Sequence, residues 1–384
     1  MNGRRGLSFA GRRIDHVIPN LTPGDGASDA CLTFRSMLID AGAQSHIWAE
    51  SIHPQRGESA SQFDLNLLCR GNPDLVIVHY TTGSDVNLSI PRSGIPFVIF
   101  YHNVTPPIYF IGMNDRLAGT AWRGIAELPQ LLRKAQLVLC ASQHSADDVR
   151  RAGRPDAVVV PIPVNGGAGT IVPDQQIMRR YNDGIPMVLF VGRLAPNKRQ
   201  HELLSVFHYL QRCFDRRVRL VLVGSDAASP EYRLELQRLI HTWRLTNVDI
   251  PGYVTPEARA AYVQCASVYL SLSKHEGFGI PLIEAMQAGV PVIARNATAV
   301  GETIGKGGLV IESYDPVWLA AMVAEVIENQ GLRQSLIAAG HLRGEELRPS
   351  NIAPRFLNAI APILGVELKH AAVPSARLVK TTHS

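Results

Sequence analysis

The stretch Ser271-Leu-Ser-Lys-His-Glu-Gly-Phe-Gly-Ile-Pro-Leu-Ile-Glu-Ala-Met-Gln-Ala-Gly-Val-Pro-Val-Ile293 decides the fold. It opens as the end of an apolar strand near Ser273. Gly277 and Gly279 then allow a tight loop. Pro281 suits the first helical position, where its missing N–H has no partner anyway. Gly289 and Pro291 stop the helix, and Pro291–Ala294 reads as the next strand. Strand, glycine loop and helix in that order form one unit of a parallel α/β sheet. The helix start offers unpaired N–H groups and the positive end of a dipole, so Gly277, Phe278, Gly279 and Ile280 frame a candidate anion site. In an open α/β sheet such a crevice lies at the C-terminal ends of the strands.

The same alternation extends in both directions. Upstream of it, strands are expected at Met187–Val191, Val218–Val223, Val248–Ile250 and Val268–Leu272, and downstream at Gly308–Ile311. Helices are expected at His201–Phe214, Pro230–Trp243, Pro256–Ala266, Pro281–Ala288 and Pro316–Asn329. The first half repeats the pattern, with strands at Ile14–Pro19, Leu75–Val78, Phe97–Tyr101, Leu137–Ala141 and Ala157–Pro161. Its helices fall at Ala27–Ala41, Leu117–Lys134 and Ser142–Ala152. Between the halves, Pro163-Val-Asn-Gly-Gly-Ala-Gly-Thr170 reads as a linker, and Asn165–Thr170 as a hinge. The expectation is two doubly wound sheets, in domains spanning 1–165 and 166–351. Ile352–Ile363 is apolar enough to pack, and the chain beyond Gly365 reads as a frayed end.

Composition excludes several classes. With 46% hydrophobic and 18% charged residues, the balance is globular. A net charge of +5 permits anionic partners without naming one. No Lys/Arg stretch interleaved with aromatics points to nucleic acid. The five cysteines, Cys31, Cys69, Cys140, Cys213 and Cys265, are odd in number and widely spaced. They imply neither a disulfide framework nor a zinc site, and read as buried free thiols in a reducing compartment. No apolar run reaches the roughly 18 residues of a membrane span, and no signal peptide is expected. Arg4, Arg5, Arg12 and Arg13 form a basic arm, solvated or facing an anionic membrane surface.

Two carboxylates flank the anion site. Glu276 lies in the loop and Glu284 in the first helical turn, a spacing of E-x7-E. Ionised carboxylates accept O–H donors and suit sugar hydroxyls better than phosphate. Taken singly, Glu284 reads equally as a charge favouring a helix N-terminus, and Glu276 as a solvated loop residue. The combined pattern resembles the signature of the family 4 glycosyltransferases. The resemblance extends to Phe190-Val-Gly-Arg-Leu-Ala-Pro-Asn-Lys198, Leu220-Val-Leu-Val-Gly224, Pro251-Gly-Tyr-Val254 and Val300-Gly-Glu302.

The resemblance implies retaining enzymes of the GT-B fold, with two Rossmann-like parallel-sheet domains facing across a cleft. It implies that 352–384 packs back on the first domain. Arg193 and Lys198 would contact the donor diphosphate, Glu284 the ribose and Glu276 the donor sugar. Backbone groups at Tyr253 and Val254 would read the base. Fixed cations can stabilise leaving-group charge where another fold uses a divalent ion. With no Asp-x-Asp motif, metal-independent transfer without a cofactor is expected. Alone, Arg193 and Lys198 would read as exposed loop cations. Arg199 departs from the glycine that many relatives carry there.

In the first half, Pro23-Gly-Asp-Gly-Ala-Ser-Asp29 resembles the family's glycine loop, with Gly24 and Gly26 near the diphosphate. As a bare pattern it is also an ordinary turn. His102, within Phe100-Tyr-His-Asn-Val-Thr-Pro-Pro107, resembles the histidine that contacts the donor sugar or the reaction centre. The alternative is a loop histidine with its bonds satisfied. Lys274 and His275 are further crevice candidates. Tyr109 through Arg123 resembles relatives in bacterial surface-polysaccharide assembly, some of which use GDP-mannose. The expected partners are a nucleotide-sugar donor and a glycan or lipid-linked acceptor, handled in the cytoplasm or at the inner membrane face. Competing readings are a nucleotide-sugar epimerase of the same fold and a non-catalytic binding subunit.

Overall fold

The computed structural model describes residues 8–166, 171–214 and 217–366. The expected glycine hinge falls largely on 167–170, and the tail on 367–384. Both lie outside the described residues, as do Arg4 and Arg5.

The first sheet is built from β1 (Ile14–Leu21), β2 (Ile47–Ile52), β3 (Ser61–Gln62), β4 (Leu75–Tyr80), β5 (Phe97–Tyr101), β6 (Leu137–Cys140) and β7 (Val158–Val159). Their order is β3-β2-β1-β4-β5-β6-β7, and every pairing is parallel. Its helices are α1 (Gly26–Asp40), α2 (Leu65–Arg70), α3 (Asp85–Ser89), α4 (Asp115–Leu132) and α5 (Gln143–Arg151). All six residues of β4 are buried, and so are all five of β5. A parallel sheet covered on both faces requires such continuous apolar runs.

The second sheet has β8 (Met187–Val191), β9 (Arg219–Val223), β10 (Val248–Gly252), β11 (Val268–Ser271), β12 (Val292–Arg295) and β13 (Leu309–Ile311). Its order is β10-β9-β8-β11-β12-β13, again parallel. The helices around it are α6 (Gln175–Tyr181), α7 (Gln200–Cys213), α8 (Pro230–Thr242), α9 (Pro256–Cys265), α10 (Ile280–Gln287), α11 (Val300–Ile304), α12 (Pro316–Glu328) and α13 (Gln330–Glu346). In both sheets the order reverses beside the first strand, which is the doubly wound arrangement.

The final helix, α14 (Pro349–Ile360), lies against α1, where the Phe34 and Phe356 ring centroids stand 4.6 Å apart. The chain passes between the sheets twice, and the passages touch. Val164 N–H donates to the Leu347 carbonyl at 2.9 Å, and the Gln287 amide donates to the carbonyls of Val164 and Gly344.

Several expectations need correction. Pro281 is the second residue of α10, and Glu284 the fifth, one turn beyond the first. Strand β2 and helix α13 were not expected. The cysteines are not uniformly buried, since Cys69 and Cys213 are exposed. Arg12 and Arg13 are not a free basic arm. Arg12 pairs with Asp74 at 3.1 Å and donates to the Leu364 carbonyl, and Arg13 pairs with buried Asp15 at 3.0 Å. No described helix is long and apolar enough to cross a membrane.

Candidate functional site between the two sheets

Two helix starts converge. Loop 22–25 follows β1, with Gly24 at φ +72° and the Asp25 side chain capping α1 through the Ser28 N–H at 3.0 Å. Across the cleft, Gly279 at φ +98° precedes α10, whose first turn receives no side-chain cap. A methyl added at Gly26 would lie 3.0 Å from Ile280 Cδ1. The positive ends of α1 and α10 therefore come close together at Gly26 and Ile280, which favours an anion beside them.

Cations border this point. Lys198 Nζ pairs with Glu276 at 2.6 Å, and both side chains are largely buried. The loop carrying Lys198 is braced to the loop carrying Glu276. Lys274 N–H donates to the Asn197 carbonyl at 2.8 Å, and the Asn197 amide to the His275 carbonyl. Arg193 is exposed, and its guanidinium has no partner among the described residues. Arg199, where the resemblance led glycine to be expected, takes the left-handed conformation that glycine favours, at φ +57°. Its strain is compensated locally, because its Nε donates to Glu202 at 2.8 Å and Glu202 also pairs with buried Arg295.

Glu276 is anchored through its backbone, whose N–H and carbonyl both bond the Thr298 hydroxyl, at 2.8 and 2.7 Å. Glu284 is buried and pairs with Arg259 at 3.1 Å. Burial raises the Glu284 carboxyl, opposed by Arg259. Asp29, on the facing first turn of α1, is likewise raised by burial, opposed by Arg56 and Arg259. Arg56 pairs with Asp29 at 2.6 Å. Tyr253 is half-exposed and its hydroxyl meets Gln55 at 3.4 Å, while Val254 packs against the core. Arg259, Arg56, Asp29 and Thr298 escaped the sequence reading as site residues. They come from four separated segments, and no spacing links them.

His102 follows β5 at the floor of the cleft. It is buried, and its Nε2 lies 2.9 Å from His79 Nδ1. Burial alone drives its imidazole down to about 3, so it is neutral near pH 7. Asn103, at φ +78°, accepts at its Oδ1 from His275 Nε2 across the cleft at 2.9 Å, and its amide N–H donates to Asp148 at 2.9 Å. His275 is pushed down to about 4, first by burial and then by Lys198. Ser142 Oγ donates to the Gly277 carbonyl, and the Gln143 N–H to Glu302 at 2.6 Å. The structure thus brings Gly26, His102, Lys198, Glu276, Gly277, Phe278, Gly279 and Ile280 to one place. Tyr253, Val254 and Glu284 lie along the cleft beside Asp29.

Atoms of His16, Cys31 and His79, all buried, lie within 4.8 Å of one another, a spacing that could hold a metal ion. Both nitrogens of His79 already bond other histidines, which argues against that use.

The family model for glycosyl transferases group 1 matches residues 175–343, and that for glycosyltransferase family 4 matches 42–165. The chain belongs to the group 1, family 4 glycosyltransferases. It is 28% identical over 171 residues to O-antigen chain mannosyltransferase B of Escherichia coli, a match covering 44% of each chain. It is 29% identical over 292 residues to a D-inositol 3-phosphate glycosyltransferase of Streptomyces scabiei, covering 71% of this chain and 64% of that one. The matches thus span about half to two thirds of these relatives' own lengths. The fold is shared with Anabaena HepE in complex with UDP and glucose, at TM-score 0.75 and 16% identity, over 91% of this chain and all of that one. It is the GT-B fold.

A methyl at Gly277 would collide with the His102 carbonyl oxygen across the cleft. Neither backbone can yield alone, so Gly277→Ala is expected to hold the two sheets apart. If they cannot separate, the overpacking costs roughly 1–3 kcal/mol. Small-angle scattering should give a larger radius than the parent protein. Superimposable profiles with an unchanged Tm would refute the close approach.

Proposed function

We propose that this glycosyltransferase-family chain is a retaining, metal-independent enzyme that moves a hexose from a nucleotide sugar to a glycan or lipid-linked acceptor in polysaccharide synthesis. Mannose from GDP-mannose is the first donor to test, in line with the E. coli relative's name. The observation that carries the reading is the meeting of the α1 and α10 starts near the Lys198–Glu276 pair. A diphosphate there would draw Lys198 from Glu276 and take the unpartnered Arg193. Glu276 would then be free to accept sugar hydroxyls, and Glu284 ribose hydroxyls. Tyr253 and Val254 border the place for the base, with Gly24 in the loop over the phosphates.

In this reading the acceptor hydroxyl attacks the anomeric carbon on the face that the diphosphate leaves. The bond from that carbon to the diphosphate oxygen breaks as the new glycosidic bond forms. The leaving phosphate oxygen takes the acceptor's proton. Arg193 and Lys198 stabilise the charge that develops there. The sheets would close over the donor and exclude water. Ile108, Ile111 and Trp122 project from the first domain with more than 60% of their surface exposed. They favour a lipid-linked acceptor and peripheral contact with an anionic membrane. An epimerase would need free carboxylates at the reacting carbon. Here Glu284 and Asp29 are each held by an arginine, so only Glu276 would come free.

Incubation with radiolabelled GDP-mannose and UDP-glucose, with and without bacterial lipid extract, tests the assignment. Label should appear in lipid or polymer with α configuration, and EDTA should leave the rate unchanged. Loss of turnover in EDTA, restored by magnesium or manganese, would refute the metal-free mechanism. Label recovered only as an altered free sugar would favour the epimerase. Binding without turnover would favour a non-catalytic subunit.

A further inference from the structure

His16 stands in β1, His79 in β4 and His102 just beyond β5, and these strands are adjacent. Their side chains form a continuous chain. His16 Nδ1 lies 2.9 Å from His79 Nε2, and His79 Nδ1 lies 2.9 Å from His102 Nε2. Successive ring centroids are 5.1 Å apart, with Phe34 and Phe100 packed against them. The terminal atoms, His16 Nε2 at the inner end and His102 Nδ1 at the cleft end, are buried and have no partner among the described residues.

Each neutral imidazole carries one N–H and one lone pair. Only two arrangements satisfy both internal hydrogen bonds: all three protons on Nδ1, or all three on Nε2. They differ at the ends. With protons on Nε2, His16 would point an N–H into the core, where no acceptor receives it. With protons on Nδ1, the inner end is a bare lone pair, an acceptor left unused in the core. The unpaired N–H then lies on His102, whose backbone abuts Gly277 across the cleft, and a bound ligand oxygen would have to accept it there. Either form leaves one buried N–H without a protein partner, which is costly, and only the His102 end, at the cleft, can gain an acceptor from a ligand.

We propose that His79 and His16 are positioning residues that hold His102 as its Nδ1–H tautomer, so that His102 presents a fixed hydrogen-bond donor to the sugar or phosphate oxygens of the donor substrate and does not act as a base. The inference rests on the cleft being the donor site. Free histidine in water carries its proton mainly on Nε2, so the chain imposes the less common form. This explains why the neighbouring strands β1 and β4 each bury a histidine.

Two-bond proton–nitrogen correlation spectra of the full chain, labelled with nitrogen-15 at histidine, test this without reference to activity. Single His→Phe variants assign the signals. All three residues should show a protonated Nδ1 and a bare Nε2. His102 protonated on Nε2, or doubly protonated near pH 7, would overturn the proposal. A kinetic arm separates orientation from packing. His79→Phe removes the donor to His102, while His79→Asn keeps an N–H near the Nδ1 position. With whichever of GDP-mannose or UDP-glucose the parent protein uses, kcat should fall roughly tenfold in His79→Phe, the scale seen for outer-shell partners, and recover in His79→Asn, with donor KM little changed. Equal losses in both variants would reduce His79 to a packing residue and overturn its role. If the parent transfers neither sugar, the function reading fails, while the spectra still decide the tautomer.

Discussion

Lys198→Ala is expected to lower kcat/KM for the sugar-nucleotide donor by about 100-fold, the scale of losing one preorganised electrostatic donor. Two effects add. The leaving diphosphate loses a cation held in place by its braced loop. In addition, Glu276 sits 2.6 Å from Lys198 in the parent and would be left as an uncompensated anion beside a second anion. The fold should survive, because Lys198 ends a short surface turn and the packing around it rests on buried Asn197 and Gln200. Glu276→Gln separates the two effects. It leaves the cation free and removes the negative charge and one of the two acceptor oxygens, so Lys198→Ala/Glu276→Gln should recover part of the single variant's loss. Values of kcat/KM within threefold of the parent for Lys198→Ala, with the chain folded, would sink the diphosphate assignment.

The segment from Ser271 to Ile293 was legible because its punctuation is local. A glycine that must adopt φ +98°, a proline in the first helical turn and a glycine at φ +76° after the helix mark the unit within a residue. Strand β2 was missed because Glu50 and Ser51 interrupt the apolar run of Ile47–Ile52. Helix α13 was hidden by its own glycines. Gly340 and Gly344 look like helix breakers, yet a methyl at either would press on Met286 or Gln287, so they are what lets α13 lie close on α10. In the candidate site, the two glutamates and the Lys198 loop carry a recognisable spacing. Arg259, Asp29 and Arg56 do not, since their meeting depends on how the sheets face each other. His16 and His79 were invisible for a related reason. A histidine inside an apolar strand reads as packing until the strand order β1-β4-β5 puts three of them in line.

Acid is expected to destabilise the fold steeply, and well above the pH at which carboxylates protonate. Burial drives His16 down to about 3 and His102 to about 3, and holds His79 well below its ordinary value. Arg35 adds to the effect at His16, and the neighbouring imidazoles add to it at His79. Each folded value lies below the unfolded one, near 6.5. Below that pH the unfolded chain binds protons that the native chain refuses, so stability is full above about 6.5 and is lost as pH falls toward about 3. One such histidine costs roughly 2 kcal/mol at pH 5, and three cost up to about 6 kcal/mol, comparable with the whole stability of a typical domain. Glu284 and Asp29 act in the opposite sense, because burial raises them and the native state then takes up protons first. Their contribution builds as pH falls from their raised folded values to the ordinary carboxylate range, and it offsets part of the loss from the three histidines. Urea unfolding at pH 7.5, 6.0 and 5.0 should therefore show a falling midpoint. His79→Phe should shed about a third of that dependence while also losing some stability at pH 7.5, since it breaks two hydrogen bonds. A midpoint that stays constant from pH 7.5 to 5.0 would mean that the three imidazoles are not held neutral in the core.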